Sequence, residues 1–195
     1  MSLEKNIVEK IASYIPGYAG YKEKEIRRET DALVRRRVSA VLAEAKSKMV
    51  LTPSAARAIA ANRDAAYLWD STKALFDRVI QRIDKAPAGY SGFYDLVKID
   101  EAALDRIYQM DLALIEKAEG VAKLVDELMA ASPGSDVWLQ KLAALSSALS
   151  QLDSAVDERN NYMAGLASVG GGQAASQQAA EPQGRKGILG RLLGR

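Results

Sequence analysis

The chain contains neither cysteine nor histidine, and each absence excludes a kind of chemistry. Without cysteine there is no disulfide framework and no thiolate metal site, a composition that suits a reducing compartment. Without histidine the chain lacks the commonest metal ligand and the commonest general base. It also lacks a G-x-S-x-G nucleophile elbow and the glycine-rich phosphate loops that open a helix after a strand. We therefore expect no enzymatic activity, no cofactor and no metal site.

Long apolar runs are also missing. A membrane-spanning helix needs about 18 or more consecutive apolar residues, and no such stretch is present. The first ten residues, "MSLEKNIVEK", carry charges where a signal peptide needs an apolar segment. Together these features predict a cytoplasmic protein.

Charge is distributed unevenly along the chain. The whole chain carries +2, but residues 184–195 contain four cations and no acid, so the residues before them are net acidic. A mildly acidic body argues against a broad nucleic-acid surface, and nucleic acid is not an expected partner. The "IRRETDALVRRRV" segment is nevertheless a candidate phosphate-binding face, although its last three arginines point in different directions on a helix. Its basic residues are Arg27, Arg28, Arg35, Arg36 and Arg37.

Apolar residues recur every three or four positions over most of the chain, which predicts helices. Thr52 is a candidate N-cap with Pro53 in the following first turn, and Asp100 is a candidate N-cap for a later helix. We predict an all-α fold, an antiparallel up-down four-helix bundle of long helices with a short extra N-terminal helix and a flexible C-terminal tail. The predicted helices cover residues 3–14, 22–49, 53–85, 101–131 and 136–166.

Opposite charges favour one neighbour relation in this bundle. Residues 20–50 are rich in cations, and residues 95–131 are rich in acids. These two helices are expected to face each other, although two separately solvated faces explain the same pattern equally well.

Composition divides the chain into three parts. Residues 1–167 hold the helical bundle. Residues 168–184 contain no bulky side chain after Val169, so they are predicted to form a flexible linker. Residues 185–195 form a short amphipathic tail peptide.

Two short segments combine glycine with aromatic residues, "IPGYAGY" (15–21) and "AGYSGFYD" (88–95). In an up-down bundle both segments lie at the same end, so their rings are expected to meet. Such a cap either binds a partner or plugs the end of the bundle, and the sequence leaves both interpretations open. The residues of this candidate aromatic cap are Tyr18, Tyr21, Tyr90, Phe93 and Tyr94.

Two longer stretches around these segments, "IPGYAGYKEKEIRRETD" and "GYSGFYDLVKIDEAALDRIYQMD", resemble a family of small uncharacterised prokaryotic helical proteins. The resemblance implies a prokaryotic helical protein. It carries over no activity, cofactor or catalytic residue.

The tail peptide has the pattern of a membrane-surface helix. On a helical wheel Ile188, Leu189, Leu192 and Leu193 fall within about 140° of arc. Cations lie beside this apolar side, and such a segment binds the interface of an anionic bilayer and folds on contact. The candidate membrane- or partner-binding residues are Arg185, Lys186, Ile188, Leu189, Arg191, Leu192, Leu193 and Arg195.

The last ten residues, "KGILGRLLGR", also resemble the C-terminal membrane-targeting sequence of the bacterial Min-system cell-division ATPases, which follows a K-G-Φ-Φ-x-R-Φ-Φ-G pattern. Gly190 departs from that pattern at a position that is often basic, which lowers both helicity and charge. The resemblance implies a peripheral membrane peptide.

The sequence therefore predicts a non-enzymatic helical adaptor or scaffold held at the membrane inner surface by its tail. One short tail binds weakly, so self-association is expected as well. The alternative is a cargo or partner-docking protein whose tail binds a protein shell or groove. A helical nucleic-acid binder is the second alternative.

Overall fold

Helices account for all the regular structure in the described part of the chain. This computed structural model describes the backbone of residues 3–178 and the side chains of residues 5–169. Short 3₁₀ turns cover Lys24–Ile26, Ala86–Gly89 and Ser91–Asp95. No helix within the described range has the length and apolarity that crossing a bilayer requires. The all-α class is confirmed, with α1 (Leu3–Tyr14), α2 (Arg27–Ser47), α3 (Pro53–Ala60), α4 (Arg63–Lys85), α5 (Glu101–Ala130) and α6 (Asp136–Gln178).

The predicted helix over residues 53–85 is two helices, so that prediction is wrong. Thr52 caps α3 as expected, because its hydroxyl accepts the N–H of Ala55 at 3.3 Å and Pro53 follows. The chain then breaks at Asn62, whose side-chain oxygen accepts the N–H groups of Asp64 and Ala65 at 3.1 and 3.2 Å. This second N-cap satisfies amide groups that would otherwise have no partner, and it starts α4 as a separate helix.

Two other helix ends differ from the prediction. A 3₁₀ turn precedes α2, which begins at Arg27, whereas the predicted helix begins at residue 22. At the other end of the chain α6 continues to Gln178, into the segment 168–184 that the sequence predicts to be a flexible linker. Once the core has nucleated a helix, each added residue gains a backbone hydrogen bond without a new nucleation cost, which allows α6 to continue through three consecutive glycines.

Cross-helix contacts give the relative directions of the four long helices. The pair α2 and α4 is in contact, as is the pair α5 and α6. Within each pair, residue numbers rise along one helix as they fall along the other, so the two helices run antiparallel. The contacts are Ser39–Asp84 and Lys46–Asp77 for α2 and α4, and Arg106–Glu158 and Lys141–Glu127 for α5 and α6.

The other two packed pairs, α2 with α5 and α4 with α6, run parallel. In both, residue numbers rise together along the two helices. The α2–α5 contacts join the cation-rich and acid-rich helices that the sequence predicts to be neighbours. The contacts are Arg37–Glu119 and Lys48–Asp126 for α2 and α5, and Arg78–Asp153 and Arg82–Asp157 for α4 and α6.

The chain therefore crosses over one end of the helices between α4 and α5. Each of these two helices packs on both α2 and α6, which places α4 and α5 at opposite corners. A simple up-down arrangement would instead place sequential helices side by side and antiparallel. The crossing segment contains Tyr90, Phe93 and Tyr94, and this route brings them against α2 and α6.

Apolar side chains from all the long helices fill the space between them. At the end of the helices away from the crossover, Trp69 and Trp138 stack with ring centroids 5.7 Å apart. α1 lies along the outside of α5, where Lys10 pairs with Glu116 at 2.6 Å. The core is thus continuous along the helices, and its polar part lies near the crossover.

Candidate functional site

The predicted tail site lies outside the described residues. This applies to all of its members, namely Arg185, Lys186, Ile188, Leu189, Arg191, Leu192, Leu193 and Arg195. The aromatic residues predicted to meet at one end are all described.

The structure brings the five aromatic residues into one cluster. The Tyr21 ring makes edge contacts with Tyr18 and Phe93, at centroid distances of 6.3 and 5.8 Å. Tyr94 contacts Phe93 at 5.9 Å and Tyr90 at 6.0 Å. All five side chains are buried, so they do not offer an exposed aromatic surface to a partner. Four of them carry a hydroxyl that must find a hydrogen-bond partner inside the protein.

The partners of these hydroxyls form a buried charged centre, which we define as Asp31 of α2, Asp111 of α5 and Arg159 of α6. The Nε of Arg159 donates to Oδ1 of Asp111 at 2.6 Å. Its Nη2 donates to Oδ1 of Asp31 at 2.9 Å. The side chains of these three residues are at most 2% exposed. One guanidinium thus bridges two carboxylates on different helices.

Four tyrosine hydroxyls also donate hydrogen bonds to the two carboxylates. Tyr18 and Tyr21 donate to Oδ2 of Asp111 at 3.0 and 2.8 Å. Tyr90 and Tyr94 donate to Asp31 at 2.9 and 2.6 Å. Because an ionised carboxylate is an acceptor with several lone pairs, these bonds compensate for much of its lost hydration. The segment before α2 (residues 15–26) therefore binds α5, and the crossover segment between α4 and α5 (residues 86–100) binds α2.

A second cation balances the charge of this centre. The Nε of Arg35 donates to Oδ2 of Asp31 at 2.8 Å from a partly exposed position. Two guanidinium groups therefore face two carboxylates, which leaves no net negative charge for a metal ion to neutralise. Among the described residues no cluster of three or more acidic side chains is arranged to hold such an ion.

Arg27 ties the two aromatic segments to each other. It is 1% exposed, and it donates to the backbone carbonyls of Tyr21, at 2.8 Å, and of Leu96. The segment before α2 has two further anchors. Thr30 donates to the carbonyl of Gly20 at 2.9 Å, and the Tyr108 hydroxyl accepts the N–H of Tyr21 at 3.1 Å.

Burial and charge shift the protonation equilibria of the centre. Burial disfavours the charge of Asp31, but Arg159 and the bonds from Tyr94 and Arg35 outweigh it and lower the pKa of Asp31. Burial also opposes the charge of Arg159, yet the facing Asp111 and its other partners raise the pKa of this guanidinium well above its usual value.

The remaining members of the network hold their protons more tightly than usual. Burial raises the pKa of Asp111, against the opposing charge of Arg159. Burial also raises the pKa of Tyr90 to about 12, and it raises the pKa values of Tyr18, Tyr21 and Tyr94. The tyrosines thus remain neutral donors to the carboxylates near neutral pH.

The five candidate phosphate-binding arginines of α2 have different surroundings and partners, and they do not form one face. Arg27 is buried, and Arg35 belongs to the charged centre. Arg28 lies over the Tyr94 ring, with its guanidinium carbon 4.9 Å from the centroid. The other two have helical or cross-helix partners, Arg36 with the carbonyl of Ala32 and Arg37 with Glu119.

Sequence reasoning missed the three charged residues of the centre, although their positions carry a signal. Each occupies a core register position in an apolar stripe. Asp31 precedes Val34 by three residues, Asp111 lies between Ile107 and Leu114, and Arg159 lies between Val156 and Met163. A charged side chain at such a position must be buried and paired. The three interruptions therefore predict buried and paired charges, but they do not identify which charges pair with each other.

Comparisons with protein-family models, with curated proteins and with solved structures find no match to this chain. The resemblances of residues 15–31, 89–111 and 186–195 noted above therefore remain predictions.

Proposed function

We propose that this chain is a non-enzymatic helical adaptor or scaffold of the cytoplasm, held at the membrane inner face by residues 185–195. In this proposal α2, α4, α5 and α6 form a four-helix bundle that serves as the rigid body. The observation that carries the proposal is the amphipathic pattern of the tail, with four aliphatic residues on one side and cations next to them.

The described part of the chain supports this assignment of the binding role to the tail. Its exposed large hydrophobic residues are single side chains on α4, on α6 and in two connections, and isolated ones are normal on protein surfaces. They are Val50, Tyr67, Val97, Val137 and Val169. The folded body thus offers few apolar side chains to a bilayer, whereas the tail sequence concentrates four of them.

The buried charged centre supports a scaffolding role for the body. Its hydrogen bonds join the segment before α2, the crossover segment, α2, α5 and α6. Charges held this way are destabilised by any rearrangement that separates them, because each would be left buried without a partner. A body of this kind holds attached partners in a fixed geometry.

A single tail supplies limited membrane affinity. Fully burying one aliphatic side chain contributes about 1.5–3 kcal/mol, and each nearby cation adds about 1 kcal/mol at an anionic surface. Ordering the peptide costs about 1 kcal/mol or more per residue. Self-association, which presents several tails together, would convert this weak binding into stable attachment.

Co-sedimentation of the full chain with vesicles tests the proposal. We expect binding to vesicles that contain phosphatidylglycerol and little binding to pure phosphatidylcholine. The Leu189→Asp/Leu192→Asp variant should lose at least about tenfold in partitioning, because two apolar side chains no longer enter the bilayer.

The matched control is Gln177→Asp/Gln178→Asp, which adds the same two negative charges to the C-terminal region and removes no aliphatic residue. It should bind the anionic vesicles nearly as well as the unmodified chain. Equal loss in both double variants would mean that charge alone drives binding and would refute the amphipathic mechanism. Tail-dependent recovery of a stoichiometric protein complex without lipid would favour the cargo or partner-docking alternative.

A further inference from the structure

A surface cleft between α4 and α6 is lined by several side chains that carry hydrogen-bond donors. It lies beside the 3₁₀ turn Ala86–Gly89 and has a volume of about 320 Å³. Its polar lining comes from one stripe of α4 and one turn of α6. These residues are Arg78, Gln81, Arg82, Lys85, Asp157 and Asn160.

The cleft differs from an ordinary surface ion-pair network because many of its donors are unused. Within the described part of the chain, the side chains of Gln81, Lys85 and Asn160 have no hydrogen bond or ion pair. Arg78 is 61% exposed and uses a single nitrogen, Nη2, to contact Asp153 at 2.8 Å. Ammonium, amide and guanidinium donors thus remain available around one opening.

The acidic residues near the cleft hold the arginine side chains in place. Asp153 accepts from Arg78 and Arg82 and is itself 8% exposed, so its charge is paired and largely shielded from solvent. Asp157 accepts from the other terminal nitrogen of Arg82. With both acids counted, the three cations Arg78, Arg82 and Lys85 still leave one net positive charge. A guanidinium held by carboxylates on one edge keeps donors on its other edges for an incoming anion.

We propose that this cleft binds a phosphate group. Planar guanidinium groups match the oxygen geometry of phosphate, and a lysine ammonium adds a point charge beside them. The amides of Gln81 and Asn160 supply neutral donors for the remaining oxygens. A free phosphate and a phospholipid headgroup present the same chemistry. The proposal does not depend on the tail.

Titration of the full chain with inorganic phosphate at low ionic strength, followed by calorimetry or ³¹P NMR, tests this proposal. We expect saturable one-to-one binding with a dissociation constant on the order of 1 mM, because the cleft is open to solvent. Arg78→Gln and Lys85→Gln should each weaken binding about three- to tenfold. Arg63→Gln, which removes a cation from an exposed position of α4 away from the cleft, should leave binding unchanged.

Vesicles that contain phosphatidic acid provide the second arm, measured in the Leu189→Asp/Leu192→Asp background because the tail is itself expected to bind anionic vesicles. If binding to these vesicles depends on Arg78 and Lys85 while free phosphate does not bind, the phosphate group comes from a lipid headgroup. The proposal is overturned if Arg63→Gln weakens binding as much as Arg78→Gln, or if neither phosphate nor these vesicles show Arg78-dependent binding. The Leu189→Asp/Leu192→Asp variant should keep its affinity for free phosphate, so failure of the tail proposal and failure of this one are distinguishable.

Discussion

Arg159 lies between the two buried carboxylates, and removing it tests the charged centre at the scale of one residue. In Arg159→Met the carboxylates of Asp31 and Asp111 stay buried without the guanidinium that bridges them. Breaking a buried ion pair from one side costs about 3–5 kcal/mol. We expect a loss of that size in the free energy of unfolding, measured by urea denaturation with circular dichroism.

Two other variants separate charge pairing from the general effect of losing an arginine. Arg106→Met breaks an exposed pair with Glu158, at 2.8 Å, and should cost less than about 1 kcal/mol. Adding Asp31→Asn and Asp111→Asn to Arg159→Met removes the unpaired charges and should recover part of the lost stability. If the free energies of unfolding of Arg159→Met and of the unmodified chain differ by less than about 1 kcal/mol, the charged centre contributes far less to stability than its geometry indicates.

At the scale of helices and connections, apolar spacing predicts which segments are helical but not every place where a helix ends. The break between α3 and α4 depends on one side chain, Asn62, in a stretch whose neighbours also fit a helix. An asparagine can cap a new helix or remain inside an old one, and local sequence does not decide between them. The aromatic segments could be brought together from topology, because both adjoin the same end of the long helices.

The charged centre was harder to predict because its contacts join distant parts of the chain. The partners of Arg159 lie 48 and 128 residues away in sequence. A search for apolar periodicity passes over a charged residue in the stripe and therefore does not identify Asp31, Asp111 and Arg159. Their pairing follows only once α2, α5 and α6 are placed around one core.

The segment before α2 offers a test with a matched pair of glycines. Gly17 and Gly20 both have a positive φ, of +86° and +83°. A Cβ on Gly17 would have no neighbour within 4 Å, whereas one on Gly20 would lie 2.7 Å from the Tyr108 hydroxyl oxygen. Gly17→Ala should therefore cost about 1–2 kcal/mol from the backbone alone. Gly20→Ala should cost about 1–3 kcal/mol more because Tyr108 must move.

Urea denaturation of the two alanine variants measures this difference in the free energy of unfolding. The Tyr108→Phe background provides the check, since it removes the oxygen that the new methyl group would meet. The cost of Gly20→Ala should be smaller there than in the unmodified chain, and the cost of Gly17→Ala should not change. If both substitutions lower the free energy of unfolding equally, the Tyr108 hydroxyl does not lie against Gly20. The segment before α2 would then be too far from α5 for the hydrogen bond from the Tyr21 N–H to the Tyr108 hydroxyl.

At the scale of the whole molecule, the crossover between α4 and α5 connects the helix order with the charged centre. Sequential antiparallel helices would leave the connector at an edge, where its tyrosines could not reach both α2 and α6. The diagonal route places Tyr90 and Tyr94 on Asp31 and brings Arg159 within 3.4 Å of the Tyr90 hydroxyl. The tyrosine hydroxyls and the ion pairs of the charged centre thus favour the diagonal crossover over a sequential arrangement of the same helices.

Cross-linking distinguishes the two arrangements directly, because the natural chain has no cysteine and introduced thiols react without competition. Arg82 contacts Asp157 on one side of α6, and Arg106 contacts Glu158 on the other. The pairs Arg82→Cys/Asp157→Cys and Arg106→Cys/Glu158→Cys should therefore join rapidly with a short bismaleimide. Mass spectrometry of the peptides identifies the linked residues.

The pair Arg82→Cys/Arg106→Cys should react poorly, because α6 separates α4 from α5. In the sequential arrangement α4 and α5 would be antiparallel neighbours, and these two positions would lie close together near their connection. Rapid linkage of Arg82→Cys to Arg106→Cys, with slow reaction of the other two pairs, would therefore refute the diagonal crossover and the route that brings the tyrosines to Asp31.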